Sequence, residues 1–152
     1  MPEWPEIPEA GDDLDRMIEA YFVDQRILAA ENARRRTDRA PAPAALIGYD
    51  GQLFDWLVMM LNYGPPDGPE RAWPIVLDLI ERAPDENSLT FTGAGAVEDL
   101  VNKSGPQFVD RIVDRAAVDP RFRRALCHIW YHPTVPEALK ELIESARASA
   151  DG

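Results

Sequence analysis

From residue 95 onward the chain repeats one pattern: apolar side chains recur every three or four positions, and each run is cut short by proline, glycine or both. Val97, Leu100 and Val101 make the first set, and Val109, Ile112, Val113 and Ala116 the second. Phe122, Ala125, Leu126, Ile129 and Trp130 make the third, and Val135, Leu139, Leu142, Ile143 and Ala146 the last. That spacing puts one apolar stripe on each of four helices. The joints, Gly105-Pro106 and Asp119-Pro120 among them, are so short that neighbouring helices must fold back on one another as hairpins. Thr134 and Glu137 have the spacing of a capping box, in which hydroxyl and carboxylate each satisfy a free N–H at a helix start.

The same period runs through the first half of the chain. With Asp12 or Asp13 as cap, Leu14, Met17, Ile18, Tyr21, Phe22, Leu28 and Ala29 predict a long amphipathic helix ending near Arg36. "RAPAPAALIGYDG" reads as an irregular connection, and a second helix, apolar nearly all round and so central, starts at about Asp50. "NYGPPDGPE" stops it, Pro69 suits the first position of a third helix, and Pro74 should kink that helix or delay its start. Leu89 to Thr92 has the composition of one short strand, with nothing nearby to pair it. The expectation is an all-α fold of about seven helices, either a short α-solenoid-like stack or an irregular helical bundle. Residues 1–10, acidic and proline-rich, form an extended segment, and residues 11–152 a single helical domain.

Composition narrows the function. The longest apolar run, "WLVMML" at residues 56–61, is far below the ~20 residues that cross a bilayer, and the N-terminus carries acids where a secretory signal has bases. With a single cysteine, Cys127, placed in an apolar stripe and expected to be a buried inert thiol, a cytoplasmic location is expected. Sixteen basic against twenty-seven acidic side chains leave a formal net charge of −11, which repels nucleic acid and anionic lipid and attracts a basic protein. Residues 1–33 hold nine of the acids and only two bases, the strongest local bias in the chain.

"FTGAGAVEDL", residues 91–100, looks most like a functional motif. It is not a dinucleotide fingerprint, because Glu98 stands at the third glycine position and would repel a pyrophosphate, and no lysine follows as a P-loop requires. A helix start accounts for more of it: Gly93 allows a positive backbone dihedral, Gly95 caps, Glu98 reaches back to free N–H groups and Asp99 adds favourable charge. Gly93, Gly95, Glu98 and Asp99 therefore form the candidate functional or structural signature. His128 and His132 share one helix face, but two imidazoles are too few for a metal and no glutamate completes H-E-x-x-H. The arginines at 34, 35, 36 and 39 read as a solvated helix end. Those at 121, 123 and 124 form a second basic patch beside Arg111 and Arg115, whose interleaved Asp110 and Asp114 suggest surface ion pairs. Three of the four tryptophans, Trp56, Trp73 and Trp130, fall on apolar helix faces as anchors. No catalytic, cofactor or metal residue set is assigned.

The helix "AWPIVLDLIERAP", the Gly-Ala-Gly start with Glu-Asp-Leu, and "DPRFRRALCHIW" together resemble an uncharacterised bacterial domain family of unknown function over residues 50–131. The resemblance implies an all-helical fold and a bacterial origin, and no catalytic residue. In type, small acidic helical proteins are also similar to immunity proteins that neutralise toxins. The expected function is a non-enzymatic, cytoplasmic protein-interaction module for a partner with a basic surface, its sharpest form an immunity-type protein masking a basic toxin or enzyme. The alternative is a small enzyme or ligand-binding protein with an inter-helix site near Glu98 and His128; a homodimer is a third arrangement.

Overall fold

The computed structural model describes residues 14–23, 26 and 52–148; among them all regular structure is helical and no strand occurs. The chain divides into two compact units, Met1–Trp56 and Leu57–Gly152. In the first, residues 14–23 form α1, whose Leu14, Ile18, Tyr21 and Phe22 are buried at the expected spacing. The rings of Tyr21 and Phe22 meet edge to face at 5.1 Å. The rest of the expected long helix, the arginines at 34–39, the proline-spaced connection and residues 1–10 lie outside the described residues.

Helix α2, Gln52–Val58, passes without a break into a π-helical turn, Met59–Tyr63. Leu53, Trp56, Leu57, Met60 and Leu61 are buried, while Phe54 is partly exposed. The second unit continues with α3 (Gly68–Arg82), α4 (Glu86–Thr92), a second π-helical turn (Gly93–Val97), α5 (Glu98–Val118), α6 (Pro120–Leu126) and α7 (Glu137–Ala148). The short α6 is the hub: it packs against α3, α4, α5, α7 and the second π turn. Its Phe122, Ala125 and Leu126 are fully buried. Trp73 of α3 lies between Phe122 and Phe108 of α5, with centroids at 5.9 and 5.7 Å. In a solenoid each repeat touches only its sequence neighbours. Here α6 reaches α3 and α5 reaches the first π turn, so the irregular bundle is the architecture.

Local chemistry explains most starts and stops. The Asp119 carboxylate accepts from the N–H groups of Arg121 and Phe122 at 3.0 and 3.3 Å, with Pro120 at the first helical position as expected. Asp85 likewise accepts from Ser88 N–H at 2.8 Å, which starts the helix that takes up Leu89 to Thr92, the one stretch with strand-like composition. Gly105-Pro106 separates two helical segments as expected: within the span of α5 they meet at Ser104, with φ −135° and ψ 19°, and Pro106 withholds its N–H. Pro74 is tolerated on an exposed face of α3, which runs on to Arg82.

Two arginines of the second basic patch are bound to helix ends, and Arg111 and Arg115 pair with other acids than the expected Asp110 and Asp114. Arg121 donates to the carbonyls of Ile80 and Ala83 at 3.0 and 2.5 Å, and so closes the C-terminal end of α3. Arg123 donates to Ala116 O at 2.6 Å in the last turn of α5, and Arg147 to Leu126 O at 3.3 Å at the end of α6. Each guanidinium satisfies carbonyls that the helix leaves open and opposes the negative end of its dipole. Arg111, Arg115 and Arg124 do form ion pairs, with Glu70, Asp119 and Glu86 respectively.

Candidate functional site

Helix α6 ends at Leu126, four residues sooner than the apolar stripe predicts. Three successive N–H groups, of Cys127, His128 and Ile129, turn to the carbonyls three residues back, at 3.2, 3.2 and 3.5 Å, which tightens and then exhausts the helix. Pro133 forbids its resumption just beyond, because the residue before a proline avoids the helical region. Between these points, the Trp130 N–H and C=O and the His132 N–H are held by side chains of α5.

Glu98 and Asn102, one turn apart on α5, do the holding. Glu98 Oε1 accepts from Trp130 N–H at 2.6 Å. Asn102 spans the next residue: its Nδ2 donates to Trp130 O at 2.9 Å and its Oδ1 accepts from His132 N–H at 2.9 Å. Three backbone groups of a connection without secondary structure are thus satisfied by two side chains. Along it, exposure alternates: Ile129 is buried, Trp130 is 81% exposed, Tyr131 is half-buried and His132 is exposed. Tyr131 turns toward α7, with Lys140 Nζ 5.4 Å and Arg147 Cζ 5.8 Å from its ring centroid. Burial pushes the Tyr131 phenol above its ordinary pKa, partly offset by the nearby Arg147 charge.

The other side of the same α5 turn is tied to the first π turn. Asp99 Oδ2 accepts from Asn62 Nδ2 at 3.0 Å, and that same amide nitrogen donates to Val58 O at 2.9 Å. Next to Asn62 stands Tyr63, 73% exposed. The first π-helical turn, a form that recurs at functional sites, is thus tied by the Asn62–Asp99 bond to the α5 turn that directly follows the second. Neither the Glu98 nor the Asp99 carboxylate has a cationic partner among the described residues.

The expected signature residues are together, but not as a helix cap. Gly93 has φ −63° and Glu98 φ −59°, both inside a helical path that runs from Glu86 through the second π turn into α5, so no helix starts at Gly95. Gly93 is needed for close packing: a Cβ there would overlap the Ala125 carbonyl oxygen of α6 and lie 3.1 Å from Ala125 Cα. Above Gly95 a Cβ would meet nothing within 4 Å. Glu98 reaches forward to Trp130 rather than back to its own helix.

Other expectations need correcting here. His128 and His132 share no helix: His128 Nε2 lies 3.3 Å from Thr90 Oγ1, and His132 Nδ1 lies 2.8 Å from Thr134 Oγ1. That contact takes the Thr134 hydroxyl away from the expected capping box, and α7 starts later, at Glu137. Cys127 is exposed, not buried, because the helix stops before the stripe would carry it inward; its thiol donates to Arg123 O at 3.4 Å. Trp130 faces outward for the same reason. Among the described residues no three His, Cys, Asp or Glu side chains come together as a metal site, and no helix is long and apolar enough to cross a membrane. Asn62 and Asn102 escape sequence reading, since isolated asparagines carry no periodic signal. The one available clue was the proline at 133, which requires the helix to end before His132.

Fold and site together define an all-helical domain that presents a solvent-facing tryptophan on a segment clamped by Glu98 and Asn102, with Glu98 and its neighbour Asp99 unpaired with any cation among the described residues. Residues 48–150 match the family described as Family of unknown function (DUF6869), and the chain belongs to that family. The match extends beyond the 50–131 stretch that carries the resemblance and takes in α7. No curated protein and no solved structure matches the chain.

Proposed function

We propose that this protein is a non-enzymatic interaction module that acts in the cytoplasm and docks on another protein through the surface around Trp130. The observation that carries this reading is an 81% exposed tryptophan on a segment whose backbone is fixed from both sides by Glu98 and Asn102. Tryptophan is prominent among the residues that dominate binding energy, and an anchor held in place beforehand loses little entropy on docking. The net charge of −11 favours a basic partner and speeds the encounter. Masking of a basic toxin or enzyme, in the manner of an immunity protein, is the form that this charge supports best. The inter-helix site considered near Glu98 and His128 is less favoured, because Glu98 is committed to Trp130 N–H and His128 lies against Thr90.

The test is affinity capture of the tagged chain from its native cells at low and high salt, run beside Trp130→Ala. Since Trp130 is exposed, the substitution should change unfolding free energy by less than about 0.5 kcal/mol. A stoichiometric basic partner held by the native chain, weakened by salt and lost with Trp130→Ala, is the expected result. Equal capture by both chains would show that the docking surface lies elsewhere.

A further inference from the structure

We infer that the Trp130 surface receives a cationic side chain, an arginine or lysine of a basic polypeptide, stacked on the indole face and drawn in by the Glu98 carboxylate that holds the Trp130 N–H, with Asp99 adding negative charge from the next position on α5. This rests on the interaction reading above and names the chemistry of recognition. Each carboxylate spends one oxygen on a structural bond, Glu98 Oε1 on Trp130 N–H and Asp99 Oδ2 on Asn62. Neither Glu98 Oε2 nor Asp99 Oδ1 has a bond among the described residues, and neither group is paired with a cation there. Lys103, four residues after Asp99 on the same helix, is exposed and makes no ion pair among the described residues, and Lys140 and Arg147 are placed against the Tyr131 ring.

The first turn of α5 also lacks the positive end that a helix start would have, because α4 and the second π turn run straight into it. A cation approaching Glu98 and Asp99 therefore meets no opposing dipole. An indole face attracts a cation through its quadrupole, and nearby carboxylates without counter-ions add Coulomb attraction. The arrangement selects charge as well as apolar area, which an exposed leucine could not do.

The probe is a nonapeptide of alternating arginine and glycine, with glutamine replacing every arginine in a control. Binding to the full chain is followed by NMR through the Trp130 indole N–H resonance, assigned by its loss in Trp130→Leu, and affinities are measured by calorimetry. The arginine peptide should shift that resonance and the glutamine peptide should not. Trp130→Phe should keep most of the affinity, whereas Trp130→Leu should lose roughly three- to thirtyfold. Glu98→Gln with Asp99→Asn, which keep the hydrogen-bond acceptors and remove the charges, should weaken binding and flatten its salt dependence. Equal binding by the leucine variant, or an equal shift from the glutamine peptide, overturns the inference in favour of simple apolar docking. So does the absence of any shift when the capture experiment has returned a partner dependent on Trp130, a result that leaves the interaction reading standing.

Discussion

At the scale of single residues, the two glycines of the Gly-Ala-Gly stretch look alike in sequence and differ in what surrounds them. Gly93 lies where α6 crosses, with no room for a methyl group against Ala125, while Gly95 faces open space. Gly93→Ala should therefore destabilise the protein by about 1–3 kcal/mol, the usual cost of overpacking. Gly95→Ala should stabilise it by about 0.5–1 kcal/mol, because a helical glycine loses more backbone entropy on folding than alanine does. Urea unfolding of the two variants checks both signs at once, and matching losses would refute the crossing as the reason for Gly93. The signature was legible from its residue types, which announce a special backbone site. Which glycine mattered was not, because the obstructing carbonyl belongs to a helix some thirty positions away.

At the scale of elements, the early end of α6 decides what the surface displays. Continued by one more turn, the helix would carry Cys127 and Trp130 along the stripe on which Phe122 and Leu126 are buried. Instead Asn102 satisfies the Trp130 carbonyl and the His132 N–H. Asn102→Ala should lower stability by about 1–2 kcal/mol, from two lost hydrogen bonds in a partly solvated place. It should also raise amide hydrogen exchange at His132 above that in the α6 core. Unchanged exchange at His132 would mean that the clamp is not what orders the segment. The starts of α3 and α6 were plain in the sequence, because Pro69 and Pro120 suit the first turn of a helix and Asp119 caps N–H groups two and three residues on. The start of α7 was misread, because Thr134 has two competitors for its hydroxyl and the winner, His132, is placed by Asn102.

At the scale of the whole molecule, the bundle joins its helices through arginines. Arg111 donates both terminal nitrogens to Glu70, at 2.6 and 2.7 Å, linking α5 to α3. This fork, with a further bond from Gln107, holds the Glu70 carboxyl below its ordinary pKa. A carboxyl with a depressed folded-state pKa stabilises above its unfolded value and loses that contribution as pH falls through the folded one. Glu70→Gln should therefore cost stability at neutral pH, and the difference from the native chain should vanish in acid, below the depressed value. Added salt should shrink the difference, since both partners are solvent-exposed. Chemical denaturation across pH tests this, and a pH-independent difference would contradict it. The all-helical class, most helix starts and the acidity were readable from the residues alone, since each follows from side chains acting on their own few turns or summed over the chain. That Gly93 is a crossing point, that Glu98 and Asn102 hold a distant segment, and that Trp130 faces water came only with the packing of the helices. Those depend on backbone groups brought together across thirty or so residues, and local periodicity carries no record of such pairs.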